Sequence, residues 1–282
     1  MRNLFLALPL LAVLLSGSPA AAQNLRLYVL DAGAIKGIDP IGFHLRKEEV
    51  AEADMSCVSY LILHPKGTLL WDSGVIADSV IEAGRGLQKR GPSSTEATKT
   101  LKSQLAGIGY APIDITYFAL SHDHYDHTAN ANAFAGSTWI VQQPERDAMF
   151  PERPSEKPAL ATTPETFAAL KYSKTKILHG EDYDVFGDGT VVIKAAYGHT
   201  PGQQVLYVKL PHTGPVLLAG DLYHYNEERG TDKTPGFEFN ARQSLASRAA
   251  IEAFIKKTGT QLWIEHDLAN FNKQKKAPAC YD

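Results

Sequence analysis

The amino-acid sequence predicts an α/β protein built as an αββα sandwich, two β-sheets face to face with helices outside. Two observations carry that prediction. Each half of the chain reads as a group of apolar, strand-length runs, then an amphipathic helix, then a further strand. Two such halves bury their apolar faces by stacking sheet on sheet. The histidine- and aspartate-rich motifs also follow strand ends, where loops of a sandwich converge on one face.

In chain order, Met1 to Ala22 reads as a removable leader. Arg2 gives a positive start, Leu4 to Leu15 an apolar run, and Ala20-Ala21-Ala22 a small-residue cleavage site before Gln23. The run is shorter than the roughly 20 residues a membrane span needs. Export to the periplasm or the medium is therefore expected, with residues 23–282 forming one domain. Leu25 to Leu30 reads as a strand. Val58 to Leu63 and Thr68 to Trp71 are two more, split by the turn His64-Pro65-Lys66-Gly67. Asp72-Ser73-Gly74 makes a tight exit. Residues 84–96, rich in Gly, Arg, Lys and Ser, read as a surface loop. Ala97 to Ile108 reads as a helix ended near Gly109. Ile113 to Leu120 is an apolar strand running into Ser121-His122, and Thr138 to Gln142 is another. Pro144, Pro151, Pro154, Pro158 and Pro164 predict a loop or lid. Thr190 to Ala196, Gln204 to Leu210 and Val216 to Leu218 are strands, Ser244 to Lys257 a helix, and Leu262 to Glu265 the last strand.

The chain of 282 residues carries a formal charge of −3, and losing Arg2 makes the mature form slightly more negative. That balance argues against a nucleic-acid partner, which needs a basic face, and favours a small-molecule substrate. Lys273-Gln274-Lys275-Lys276 reads as a solvated tail. Cys57 and Cys280 are the two cysteines. An exported protein permits a bridge between them, and the sequence leaves it open.

The chemistry concentrates in Ser121-His122-Asp123-His124-Tyr125-Asp126-His127. His122 and His124, two apart in extended chain, project from one side. Asp126 and His127 follow and can face a second metal. Imidazole nitrogen and carboxylate oxygen suit Zn, Mn, Fe or Co, and the absence of nearby cysteine argues against a closed thiolate site. Three further candidates each follow a strand: His199 in Gly198-His199-Thr200-Pro201-Gly202, Asp221 after Gly220, and His266 after Glu265. His122, His124 and His199 would hold one metal. Asp126, His127 and His266 would hold the other, with Asp221 bridging. Two divalent ions about 3.5–4 Å apart activate a shared water, so hydrolysis of an activated carbonyl or phosphoryl centre is the expected reaction. Asp72 reads as a residue that orients a ligand, and Asp123 as the same or as solvated. His44, His64, His179 and His212 read as core or surface histidines.

With Trp71-Asp72-Ser73-Gly74, this ordered set resembles the metallo-β-lactamase superfamily over essentially the whole mature chain. Leu27-Tyr28-Val29-Leu30 running into Asp31-Ala32-Gly33, together with His199-Thr200-Pro201-Gly202, is most similar to its N-acyl-homoserine lactonase branch. Asp221 separates the chain from the β-lactamases, and the spacing from His127 to His199 separates it from the thioesterases. The resemblance implies quorum-quenching lactone opening by a metal-bound hydroxide, with zinc the first metal to consider and Asp126 passing a proton to the leaving alkoxide. It also implies a homodimer. Two positions depart from the pattern. Gln203 stands where the family has histidine. His224, flanked by Tyr223 and Tyr225, stands where the lactonases have the tyrosine that holds the substrate carbonyl, so His224 or Tyr223 is the expected carbonyl partner. Phe150, Phe237 and Phe239 read as core or as lining for an acyl chain. Two rival readings remain. One is a phosphotriesterase similar to the methyl-parathion hydrolases. The other is a non-catalytic metal-binding protein on the same fold.

Overall fold

The computed structural model describes residues 25–152 and 161–282. The expected leader, residues 1–22, lies outside the described residues, as do Pro154 and Pro158. The first half contributes β1 (Arg26–Lys36), β2 (Met55–His64), β3 (Gly67–Trp71), α1 (Asp78–Glu82), β4 (Leu87–Arg90), β5 (Ser93–Glu96) and α2 (Leu101–Gly107). It continues with β6 (Tyr117–Ala119), α3 (Tyr125–Thr128), β7 (Thr138–Gln142), α4 (Gln143–Met149) and β8 (Thr175–Leu178). The second half contributes β9 (Tyr183–Asp184), β10 (Val191–Ala195), β11 (Gln204–Leu210), β12 (Gly214–Leu218), α5 (Ala241–Thr258), β13 (Gln261–Trp263) and α6 (Leu268–Phe271).

The first eight strands form one sheet in the order β4-β5-β1-β2-β3-β6-β7-β8, and the other five a second in the order β13-β12-β11-β10-β9. Side-chain alternation sorts each strand into two faces. Leu27, Val29, Leu69, Trp71, Ala119 and Ile140 of the large sheet meet Leu206, Val208, Val216 and Leu218 of the small one. Their neighbours point outward: Leu30, Leu70, Phe118 and Trp139 pack under α2 through Leu101 and Leu105. Val205 and Leu217 pack under Ile251, Phe254 and Ile255 of α5. The layers are therefore helix, sheet, sheet, helix, as the sequence predicted. Asn240 caps α5 by accepting from Gln243 N at 3.1 Å, and Gly259 ends it at φ 68°.

Several boundaries shift, each for a physical reason. Residues 84–96 are not a plain loop: β4 and β5 pair as an edge hairpin turning at Gly91. β5 docks on β1 beyond the irregularity between Asp31 and Ala34. An edge hairpin with most of its side chains in solvent gives no apolar alternation to read. The segment around Pro144 opens with α4, because proline in a first helical turn loses no internal hydrogen bond. β6 is shorter than Ile113 to Leu120, since Pro112–Asp114 is wound as a 3₁₀ turn. Cys57 and Cys280 are free thiols packed in different clusters. No helix among the described residues is long and apolar enough to cross a membrane.

Leu206, fully buried on a central strand of the small sheet, tests the shared core. Leu206→Ala should lower the stability of the metal-free protein by about 2–5 kcal/mol in urea unfolding. A loss well under 1 kcal/mol would contradict a packed interface between the sheets.

Candidate metal centre

The site forms where the two sheets present their strand ends together. The β3 end delivers Asp72, held at φ 57°. The β6 end delivers Ser121 to His124, and α3 carries Asp126 and His127. The β10–β11 loop delivers His199, the β12 end Asp221, and the β13 end Glu265 and His266. Two glycines are required by this convergence. Gly198, at φ +139°, has no room for a Cβ, which would sit 2.2 Å from Ser244 N. A Cβ on Gly220, at φ +49°, would sit 2.7 Å from Ser121 Cβ.

The six other predicted ligands come together around Asp221. On one side, Asp221 Oδ2 lies 3.5 Å from His122 Nε2 and 3.3 Å from His199 Nε2, and His199 Nε2 lies 3.0 Å from His124 Nδ1. On the other, Asp221 Oδ1 lies 3.1 Å from both His127 Nε2 and His266 Nε2. Asp126 Oδ2 completes that side at 3.4 Å from His266 Nε2 and 3.8 Å from His127 Nε2. Ligand atoms around a tetrahedral ion with bonds of about 2.0–2.1 Å stand about 3.3 Å apart. Both sets have that spacing. His122 Nε2, His127 Nε2 and Asp221 Oδ1 are buried without an aligned hydrogen bond, a costly arrangement unless a cation lies among them. The residues thus fit two divalent ions.

Electrostatics separates the ligands. Burial pushes His122 and His124 well below the usual imidazole range, so both stay neutral and able to ligate. Burial opposes the charge on Asp221, yet the imidazoles of His266, His127 and His122 hold its carboxyl well below the usual carboxylate range. Burial lowers His127 and His266 too, but the carboxylate of Asp221 overrides it and raises both. In His199, Asp221 and Glu238 overcome burial and raise it to about 10. These sites bind protons wherever they bind no metal, so metal uptake releases protons.

Three of the imidazoles are oriented from behind. His127 Nδ1 donates to Asp72 Oδ2 at 3.0 Å, and Asp72 Oδ1 accepts from Ser121 N at 2.6 Å. His266 Nδ1 donates to the Ser56 carbonyl at 2.8 Å, and His122 Nδ1 faces Ser121 Oγ at 3.0 Å. These contacts leave the Nε2 lone pairs inward. Asp72 therefore holds the His127 ring. Asp123 is buried, and its carboxyl is raised to about 6 by burial. Sequence reasoning missed five neighbours. Glu265 accepts from Trp71 Nε1 at 3.0 Å and lies 3.5 Å from His127 Nδ1. Burial and nearby Asp72 keep its carboxyl well above the usual range. Glu238 lies 3.5 Å from His199 Nδ1. Glu145 and Glu228 are buried among backbone donors. Cys57 lies against His266 and Asp126, and burial pushes its thiol up to about 12. A signal existed for Glu265, a charged residue inside an apolar strand end, but none for the others.

A cavity of about 1210 Å³ opens onto the ligands. His224 is part of its wall, with Nε2 3.0 Å from Asp221 Oδ2 and its ring stacked 5.5 Å from that of His266. Tyr223 is not brought to the cavity: its hydroxyl donates to Glu252 at 3.2 Å, against α5. Tyr225 turns away as well, donating to the Ala53 carbonyl. Phe237 and Phe239 line the mouth at 52% and 63% exposure, whereas Phe150 packs on Trp139 and Phe167. Gln203 is fully buried, with neither amide atom hydrogen-bonded. His44 binds the Thr234 carbonyl and His64 binds Asp188, while His179 and His212 are exposed. Asp72→Asn keeps the backbone strain-tolerant but removes the anionic partner of His127. Metal retention against a chelator should weaken about 10–100-fold. Retention unchanged from the parent would contradict the orienting role.

The comparisons with known proteins follow this geometry. A family model described as the metallo-beta-lactamase superfamily matches residues 53–258. The N-acyl homoserine lactonase AttM of Azorhizobium caulinodans is 29% identical over 279 residues, covering 92% of this chain and 99% of that protein. A solved N-acyl homoserine lactone hydrolase, with its product N-hexanoyl-L-homoserine at the catalytic metal center, superposes with a TM-score of 0.73 at 24% identity. The match covers 92% of this chain and 100% of that one. AidC, a dizinc quorum-quenching lactonase in complex with a product, gives 0.64 at 19% identity over 93% of this chain and 95% of its own. The matched residues carry both sheets' contributions to the site except Glu265 and His266, and the chain belongs to the metallo-beta-lactamase superfamily.

Proposed function

We propose that the protein is a two-metal hydrolase, with zinc the leading metal, that opens the ring of N-acyl-homoserine lactones. The observation that carries it is the seven-ligand set around Asp221 at the base of a large, mostly apolar cavity. Full-length similarity to the lactonase of Azorhizobium caulinodans supports the substrate class. Two divalent ions, when bound, supply Lewis acidity and an activated water.

The chain's own residues do the rest. Asp221 spans the two metal positions through its two oxygens. Asp126, on the cavity wall, is placed to carry a proton to the alkoxide that leaves the opened ring. His224 stands where it can donate to the substrate carbonyl. Its backbone N–H donates to Glu228 Oε2 at 2.5 Å, and Glu228 is held in turn by Arg248. Phe43 packs on the His224 ring at 4.8 Å, which fixes its direction. Ile35, Ile38, Met149 and Phe167 offer an apolar wall to an acyl chain and exclude water from the ring.

Purified, metal-loaded protein should turn over short- and long-chain N-acyl-homoserine lactones far faster than a paraoxon-type phosphotriester. His124→Ala should abolish this activity. His224→Ala should lower kcat/KM about 10²–10³-fold, and Tyr223→Phe should stay within about twofold. Dominant phosphotriester turnover would instead favour the methyl-parathion-hydrolase reading, and no turnover with two metals bound would sink the lactonase proposal. Export is part of the same proposal. N-terminal sequencing of protein recovered from the periplasm or medium should begin at Gln23, and a retained Met1 would refute it.

A further inference from the structure

Glu145 is a buried carboxylate that lies outside both metal positions, in the first turn of α4. Both of its oxygens are occupied. Oε1 accepts from Asp123 N at 2.8 Å. Oε2 accepts from Thr200 Oγ1 at 2.7 Å and from Gly202 N at 2.8 Å. Asp123 sits between His122 and His124. Thr200 and Gly202 follow His199. One side chain therefore clamps the β6 loop of the large sheet to the β10–β11 loop of the small sheet. Those two loops carry the three histidines of one metal position. The approach is close enough that a Cβ on Gly202 would lie 2.4 Å from Glu145 N.

The second position is supported by different groups. Asp72 holds His127, and the Ser56 carbonyl holds His266. No hydrogen bond of Glu145 reaches Asp126, His127 or His266. We propose that Glu145 is the positioning residue of the His122–His124–His199 metal position and sets metal affinity there separately from the second position. It acts through the loop backbones and touches neither metal nor substrate. A glutamine at this place keeps the shape but has one acceptor oxygen where three donors need two. Its amide N–H groups would point at another donor. This inference rests on the two-metal reading.

Stepwise cobalt(II) titration of the metal-free full chain against a competing chelator, read by visible absorption, tests both. His199→Ala and His266→Ala identify which step belongs to which position. Glu145→Gln should weaken the step that His199→Ala removes, about 10–100-fold, and leave the other step unchanged. Thr200→Val, a milder cut that keeps the carboxylate, should move the same step in the same direction by less, and it carries the test if Glu145→Gln fails to fold. Equal weakening of both steps, no weakening, or movement of the His266 step would overturn the positioning role alone. A parent chain that takes up fewer than two cobalt ions would overturn the two-metal reading and this inference with it.

Discussion

The carboxylate of Asp221 is the group around which the rest of the structure is arranged. Five imidazoles approach its two oxygens within 3.5 Å: His122, His127, His199, His224 and His266. A buried carboxylate that far from water is costly unless positive charge surrounds it. The imidazoles supply that charge by taking protons or by sharing cations, and the tetrahedral spacing of their nitrogens fits cations. This constraint explains the folding of distant parts. Asp221 must leave the β12 end at the seam between the sheets, so Gly220 must have no side chain against Ser121. The β6 and β13 ends must reach the same point, which requires the strands of both sheets to end at one edge.

Outer carboxyl groups stand behind the ligands and complete the electrostatics. Asp72 accepts two hydrogen bonds, from Ser121 N and from the His127 ring. Glu265, pressed against Asp72, has its carboxyl raised by burial and by that neighbour. Glu145 is raised to about 8, by burial first and then by Asp123. Both stand behind the ligands: Glu145 ties the two histidine loops together, and Glu265 lies 3.5 Å from His127 Nδ1.

The site was more legible in the sequence than parts of the fold. Ligands must sit at strand ends, and strand ends announce themselves by an apolar run breaking into polar residues. That is why His122, His199, Asp221 and His266 could be picked out although they are far apart in the chain. The supporting residues carry no such mark. Glu145 lay in a proline-rich stretch whose helix is visible only once Pro144 is seen in its first turn. The β4–β5 hairpin has polar strands because one side faces solvent, and polarity without alternation reads as loop. The choice between His224 and Tyr223 could not be made at all, since adjacent residues differ by the direction of the backbone alone. The extended backbone at Tyr223 sends its ring toward α5 and the His224 ring toward Asp221.

That direction has a chemical consequence. A tyrosine hydroxyl stands farther from the backbone than an imidazole nitrogen, so a histidine at this place reaches less deeply into the cavity. The structure compensates from the sides. His224 Nε2 already lies 3.0 Å from Asp221 Oδ2, and the rings of Phe43 and His266 pack on its own at 4.8 and 5.5 Å. Glu228, itself locked by Arg248, fixes the backbone beneath it. A short donor held this firmly gives up reach and gains direction. On the proposed lactonase reading, a substrate carbonyl would have to come closer to Asp221 to be held, guided by the apolar walls of Ile35, Met149 and Phe167.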